Sequence, residues 1–223
     1  MKLSEKTIDV LKNFAAINPN MVFKPGKSIT TIAEAKNIVA IATIDEEIPS
    51  EFGIYDLSEF LSTMSLFDEP ELDFTKDSVI IMENKSSIRY FYSATDLLTT
   101  PTKQVNMPKA DVKLMLSADV INKIKKAAAV LGHATLEING KNGTIVVNVA
   151  DLKNATANKY AIELDDKNTC KDNFSFVMVI GNLKMLPGDY EVSISSKLIS
   201  HFKNTTSPAE YYIALEKTST YDK

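Results

Sequence analysis

The 223-residue chain has no tryptophan, one cysteine (Cys170) and two histidines, His133 and His201. A lone thiol can neither close an internal disulfide nor build a thiolate zinc cluster, and it points to a reducing, intracellular setting. Two histidines leave little material for the imidazole-rich centres of most metal hydrolases. No apolar run approaches the roughly 18 residues of a membrane span. The opening Met1-Lys2-Leu3-Ser4-Glu5-Lys6 has no apolar signal-peptide core. P-loop, GxGxxG, HExxH and GxSxG patterns are all missing, so neither a cofactor nor a catalytic motif is expected. Arginine is scarce as well: Arg89 is the single guanidinium among 25 basic residues.

What is present is an ordinary folded composition, 44% hydrophobic and 24% charged, which excludes wholesale disorder. The length allows one large domain or two of roughly 110 residues. The net charge of −4 hides a segregation. Asp45 to Asp77 holds eleven acids against Lys76 alone, whereas Lys113 to His133 holds four lysines against Asp119. An acidic protein with one basic face can hold DNA by that face while the remainder repels it. Two merely solvated faces of opposite sign are the alternative.

The strongest organisational signal is an internal repeat at an offset of 113 residues. Leu3-Ser4 returns as Leu116-Ser117, Ile8 as Ile121, Lys12 as Lys125 and Ala15-Ala16 as Ala128-Ala129. Both copies predict helices of about four turns, with Ser4 and Ser117 as N-caps. Leu3 and Leu116 are placed to pack on Ile8 and Ile121 as hydrophobic staples. The first apolar stripe is expected to be Thr7, Ile8, Leu11, Phe14 and Ala15, with Lys6 opposite and Lys12 on the flank. The second is expected to be Val120, Ile121, Ile124, Ala127, Ala128 and Leu131, with Lys123 and Lys126 pointing away and Lys125 flanking.

A shorter echo follows in each half. Asp56 caps a predicted helix through Leu57, Phe60, Leu61 and Met64, with Glu59 completing a capping box. Ile180–Leu186, cut off by Pro187-Gly188, has room for about one turn. Strands are expected around these helices. Thr135–Asn139 and Thr144–Val149 make a hairpin about residues 140–143, and Val79–Met82 with Ile88–Tyr92 makes another. Tyr160–Leu164, Phe174–Ile180, Tyr190–Ser195 and Tyr211–Leu215 add more. Segments near 30–50 and 150–172 read as loops. Residues 99–108, with Pro101 and Pro108, read as an extended connector. The division is therefore 1–100, a connector 101–111, and 112–223, each half an α+β unit.

Other clusters read as structural. Asp45-Glu46-Glu47 and Asp68-Glu69 lack the spacing and central glycine of a calcium loop, and no metal site is expected. Cys170 reads as an ordinary loop side chain. His133, after the helix-ending Gly132, is expected to serve the helix C-terminus. Arg89-Tyr90-Phe91-Tyr92 suggests a base-stacking platform, but strand alternation puts Tyr90 and Tyr92 on one face and Phe91 on the other, so packing is favoured.

Several of these stretches carry a family likeness. Met1-Lys2-Leu3-Ser4 with Leu11-Lys12-Asn13-Phe14-Ala15, Ile54-Tyr55-Asp56-Leu57 with Phe60-Leu61, Asn182-Leu183-Lys184-Met185-Leu186-Pro187-Gly188-Asp189-Tyr190, and Tyr212-Ile213-Ala214-Leu215-Glu216 resemble the sliding clamps of T-even-type bacteriophages, which are DNA polymerase processivity factors. The resemblance implies a non-enzymatic homotrimeric ring of two similar clamp domains per chain, with helices on one face of curved antiparallel sheets. It further implies duplex DNA bound without regard to sequence, a DNA polymerase, an ATP-driven clamp loader and the late-transcription machinery as partners. The implied location is the cytoplasm of the infected bacterial host. The competing assignment is a virion structural or adaptor protein that does not encircle DNA.

Diffuse lysine contacts suit a sliding ring better than bidentate arginine readout. The candidate DNA-facing residues are Lys6, Lys12, Lys123, Lys125 and Lys126, with Lys2 and Lys184 as weaker members. The helix after Asp56 carries acids and no lysine, and adds no attraction for DNA. Val105, Met107 and Pro108, apolar residues in a polar connector, are the candidate partner-peptide groove. Pinning the connector to its own domain is their other reading.

Overall fold

Both predicted serine caps are formed in the computed structural model, which describes residues 1–154, 156–165 and 167–222. Ser4 Oγ accepts from the Thr7 amide at the start of α1 (Glu5–Ile17), and Ser117 Oγ accepts from the Val120 amide at the start of α3 (Ala118–Leu131). Each cap satisfies an amide of the first turn that lacks an intrahelical partner. The chain folds as two units, unit 1 over Met1–Gln104 and unit 2 over Val105–Lys223.

In unit 1, α1 is followed by β1 (Met21–Phe23), β2 (Gly26–Ile32), β3 (Ile38–Ile48), β4 (Phe52–Ile54), α2 (Leu57–Met64), β5 (Glu71–Phe74), β6 (Ser78–Glu83) and β7 (Ser86–Phe91). β1 pairs with β4, β2 with β3, and β5-β6-β7 form a three-stranded sheet, all antiparallel. The loop expected near 30–50 is therefore largely a hairpin. Its runs rich in β-branched residues, Ile29-Thr30-Thr31-Ile32 and Ile38-Val39-Ala40-Ile41, favour a pleated, buried surface. α1 packs on β3 and α2.

The buried stripe of α1 is Thr7, Val10, Leu11, Phe14 and Ile17, so the helix is turned about its axis relative to the expectation. Ile8 and Ala15 are only half-buried, while Val10 and Ile17 meet the core. Fully burying a side chain such as Leu11 or Phe14 contributes about 1.5–3 kcal/mol. That selects which of several apolar residues face inward. Phe52 anchors the neighbouring core, stacking on Phe23 at 4.7 Å and on Tyr92 at 4.8 Å between ring centres.

In unit 2, α3 lies between β8 (Val112–Leu116) and the hairpin β9 (Thr135–Lys141) with β10 (Thr144–Ala150). β11 (Tyr160–Glu163), β12 (Asn173–Val179), a 3-10 turn (Ile180–Asn182), β13 (Tyr190–Ser195), β14 (Ile199–Asn204), β15 (Ala209–Ala214) and β16 (Thr220–Asp222) follow. One sheet has the order β11-β10-β9-β12-β16; β8, β13, β14 and β15 pair in series beside it. The segment 150–172 holds β11; Ala155 and Asp166 within it, and Lys223, lie outside the described residues. The hairpin loop is tighter than the expected 140–143. Its two loop residues are Asn142 (φ 53°) and Gly143 (φ 89°), the double left-handed pair that matches strand twist. Gly140 instead sits within β9 under the Phe174 ring, where a Cβ would come within 2.2 Å.

The 3-10 turn is the single turn expected after Ile180. The segment after it is held by two buried phenols: Tyr190 Oη donates to the Leu186 carbonyl at 2.6 Å, and Tyr211 Oη accepts from the Leu186 amide at 3.1 Å. Because this turn replaces a full helix, α3 has less to pack on than α1. Only Ile121 and Ile124 of α3 are buried, and Val130 is 75% exposed.

Candidate nucleic-acid interface

The lysines of α1 and α3 are sorted by where each helix buries its stripe. With Thr7, Val10, Leu11, Phe14 and Ile17 inward, Lys12 points away from the core and Lys6 lies on the flank, the reverse of the expected order. On α3, Lys126 projects opposite Ile121 and Ile124, as expected, and is exposed. Lys123 points outward too, but its ammonium is held by Asp119 at 2.6 Å one turn back. That bond raises its pKa and spends part of its charge locally. Lys125 flanks the buried stripe, where desolvation pushes its ammonium pKa down although the residue as a whole is exposed.

The two weaker candidates differ. Lys2 is paired with Glu69 at 2.8 Å and lies 4.0 Å from Glu71, so the acids of β5 and the turn before it neutralise it. Lys184 is exposed just after the 3-10 turn. The structure therefore leaves Lys6, Lys12, Lys125 and Lys126 as exposed lysines without an ion pair to any described residue.

Three carboxylates at the starts of these helices were not anticipated. Glu46, on β3, accepts from the Ser4 amide and the Thr7 hydroxyl at the α1 N-terminus, and Asp45 accepts from Ser4 Oγ. Burial alone would raise the Glu46 carboxyl pKa, but these bonds outweigh it and hold the group below its ordinary value. Asp189, entering β13, accepts from the Ala118 amide at 2.7 Å at the start of α3. Each repeated helix is thus capped twice, by its own serine and by a carboxylate arriving from a distant element. In the sequence Asp45 and Glu46 were visible only as part of an acidic cluster and Asp189 only as the residue before the Tyr190–Ser195 strand, with no partner assigned.

Asp56 caps α2 through the amides of Ser58 and Glu59, while the Glu59 carboxylate accepts from the Tyr90 hydroxyl rather than completing the expected capping box. Tyr90 and Tyr92 face inward and Phe91 is 62% exposed, as strand alternation requires. His133 does assist the α3 C-terminus, but by its backbone amide to the Ala128 carbonyl; its ring meets the Asn158 carbonyl at 2.8 Å. Val105, Met107 and Pro108 are half-buried. A nearby cleft of about 200 Å³ is lined instead by Asp111, Val112, Lys113, Cys170 and Phe174 among others.

The architecture defines a DNA clamp. The clamp PCNA of A. fulgidus, solved with the C-terminal region of FEN-1, shares the fold with a TM-score of 0.73 over 98% of both chains, at 10% identity. The model of the DNA polymerase processivity factor family matches residues 2–102, and that of the gp45 sliding clamp C-terminal region matches residues 111–217. The sliding clamps of Escherichia phage RB69 and Enterobacteria phage T4 are each 34% identical over the full length of both chains. The chain belongs to the sliding clamp family of phage DNA polymerase processivity factors. These matches favour the clamp over a virion adaptor.

Proposed function

We propose that the protein works as a homotrimeric ring around duplex DNA, sliding without reading sequence and tethering a DNA polymerase for processive synthesis in the cytoplasm of the infected host. A separate ATP-driven loader opens and closes it, and the late-transcription machinery uses the same tether. No catalytic step falls to the chain itself. The observation that carries this function is one device made twice: a doubly capped amphipathic helix with an outward lysine that makes no ion pair with a described residue, Lys12 in unit 1 and Lys126 in unit 2. A duplex carries about one negative charge per 1.7 Å of axis, so lysines on a helix bank attract it at every register. They leave no bidentate base contact to arrest sliding.

The acids outside these helices support the same function, because Asp68, Glu69, Glu71 and Asp73 are exposed on unit 1 and would repel a duplex from that surface. Light scattering of the native particle is the test. About three times the chain mass of 24.7 kDa is expected, together with retention on circular duplex and loss from linear duplex. A monomer at micromolar concentration, or equal loss from both DNA forms, would overturn it.

A further inference from the structure

Both ends of the connector are pinned by side chains. Residues 99–110 form neither helix nor strand, so their backbone groups have no ladder to join. At the unit 1 end the two polar backbone groups of Thr99 are nevertheless each taken by an asparagine. Asn18 Nδ2 donates to the Thr99 carbonyl at 3.0 Å, and Asn20 Oδ1 accepts from the Thr99 amide at 3.2 Å. At the unit 2 end the Asp111 amide donates to the Ile194 carbonyl at 2.9 Å. The Asp111 carboxylate accepts from the Ser196 amide and the Ser196 hydroxyl, both at 2.8 Å, and from Ser195 Oγ at 3.4 Å.

The unit 1 pin is rooted in the fold. Asn18, fully buried, also donates to the Ile32 carbonyl at the end of β2 and accepts from the Asn20 amide. Asn20 donates in turn to the Tyr55 carbonyl just past β4, and the Leu57 amide that opens α2 donates to the Pro19 carbonyl between the two asparagines. One elbow after α1 thus joins β2, β4, α2 and Thr99. The internal repeat shows that a helix end does not require it. The offset of 113 residues puts Leu131 and His133 where Asn18 and Asn20 stand, and α3 is closed by Gly132 in the left-handed region instead. Asparagine at both places answers to Thr99 and its neighbours, not to helix termination.

Resting on the reading that the chain tethers a DNA polymerase, we propose that Asn18, Asn20 and Asp111 are positioning residues that hold the connector as a strap, set in advance for an extended segment of that polymerase. Val105, Met107 and Pro108, the half-buried apolar residues of the candidate groove, lie within the strap. The gain is entropic. A segment fixed at one end samples many more conformations than one fixed at both, and a partner that docks on it must order whatever freedom remains. The pins touch no partner themselves; each acts within its own unit, by removing that freedom beforehand.

Releasing the pins one at a time tests this. Asn20 and Asp111 are half-buried and are chosen over the buried Asn18 so that the units still fold, which melting of each variant checks. Trypsin, followed by mass spectrometry, reads the strap without any partner, because Lys103 and Lys109 are exposed within it. Asn20→Ala should speed cleavage after Lys103, and Asp111→Ala cleavage after Lys109, each by about three- to tenfold, as expected for the loss of a hydrogen bond that holds a local opening shut. Asp111→Asn keeps a carbonyl oxygen for the Ser196 amide and should stay near the wild-type rate. Capture of the DNA polymerase should weaken by a similar factor in the two alanine variants and recover in Asp111→Asn, with trimer mass and retention on circular duplex unchanged. Unchanged cleavage in both alanine variants overturns the pins. Faster cleavage with unchanged capture, or Asp111→Asn as weak in capture as Asp111→Ala, overturns the positioning role and leaves the tether standing. A wild type that captures no polymerase removes the tether and this role together.

Discussion

Replacing Lys126 by alanine should reduce the salt dependence of duplex binding far more than replacing Lys2. Lys126 is exposed, points away from the buried Ile121 and Ile124, and has no ion pair with a described residue. Lys2 already spends its charge on Glu69 at 2.8 Å. A lysine that neutralises a phosphate releases condensed counterions, lowering the slope of log K against log salt by about 0.9 per contact. A ring of three chains carries three copies of each position. Full loss of Lys126 contacts should therefore flatten the slope by as much as about 2.7, or about 40-fold in relative affinity between 50 and 200 mM salt. Lys12→Ala should behave similarly, and Lys2→Ala should leave the slope nearly unchanged. The assay is anisotropy of a labelled duplex across a salt series, with trimer mass checked for each variant. Equal slopes for Lys126→Ala and wild type, or a Lys2→Ala effect as large as that of Lys126→Ala, would refute the reasoning.

Three further outcomes rest on particular contacts. Glu46→Ala should lower stability by about 1–2 kcal/mol after allowance for its partial exposure, or about 3–6 °C in Tm for a chain of this size. Because its carboxyl is held below the ordinary value, that contribution is present above the ordinary carboxylate pKa and lost as pH falls through the lowered one. Wild type and variant should therefore converge in urea titrations below about pH 4, and a constant gap would count against the cap. Gly140→Ala should cost about 1–3 kcal/mol or more by driving a Cβ into the Phe174 ring, which is packed on Phe176 and cannot move freely; calorimetry showing no change would deny that contact. Met107→Asp should weaken capture of a DNA polymerase while leaving trimer mass and Tm nearly unchanged; a fall in Tm with unchanged capture would show that Met107 only anchors the connector.

Much of the local structure could be read from residue order because it rests on local physics. A serine followed by a 3.6-residue apolar period makes a capped helix wherever it occurs, so α1 and α3 were legible in position and in their repetition. Pro187-Gly188 cannot continue a helix, so the single turn before it was legible too. The face of α1 was not. Thr7, Ile8, Val10, Leu11, Phe14, Ala15 and Ile17 span about half of the helix circumference, and only the docking of β3 and α2 decides which of them are covered. That decision exchanged the roles of Lys6 and Lys12. The hairpin of β2 and β3 escaped because its apolar positions do not alternate cleanly until the partner strand and α1 bury one face.

By itself, then, the order of residues determined the doubled α+β plan, the helix starts, the tight turns and the enrichment of lysine on two helices, since each depends on neighbours within a few positions. Tertiary structure alone decided which of those lysines remain free. Glu69 reaches Lys2 across 67 positions, and core packing desolvates Lys125. It also decided that Glu46 and Asp189 would cap helices 42 and 71 residues away, and that β7 and β11 would end their sheets unpaired. The physical reason is range. Capping and periodicity act along the chain, whereas an ion pair, a desolvation or an open strand edge exists only once remote segments have been brought side by side.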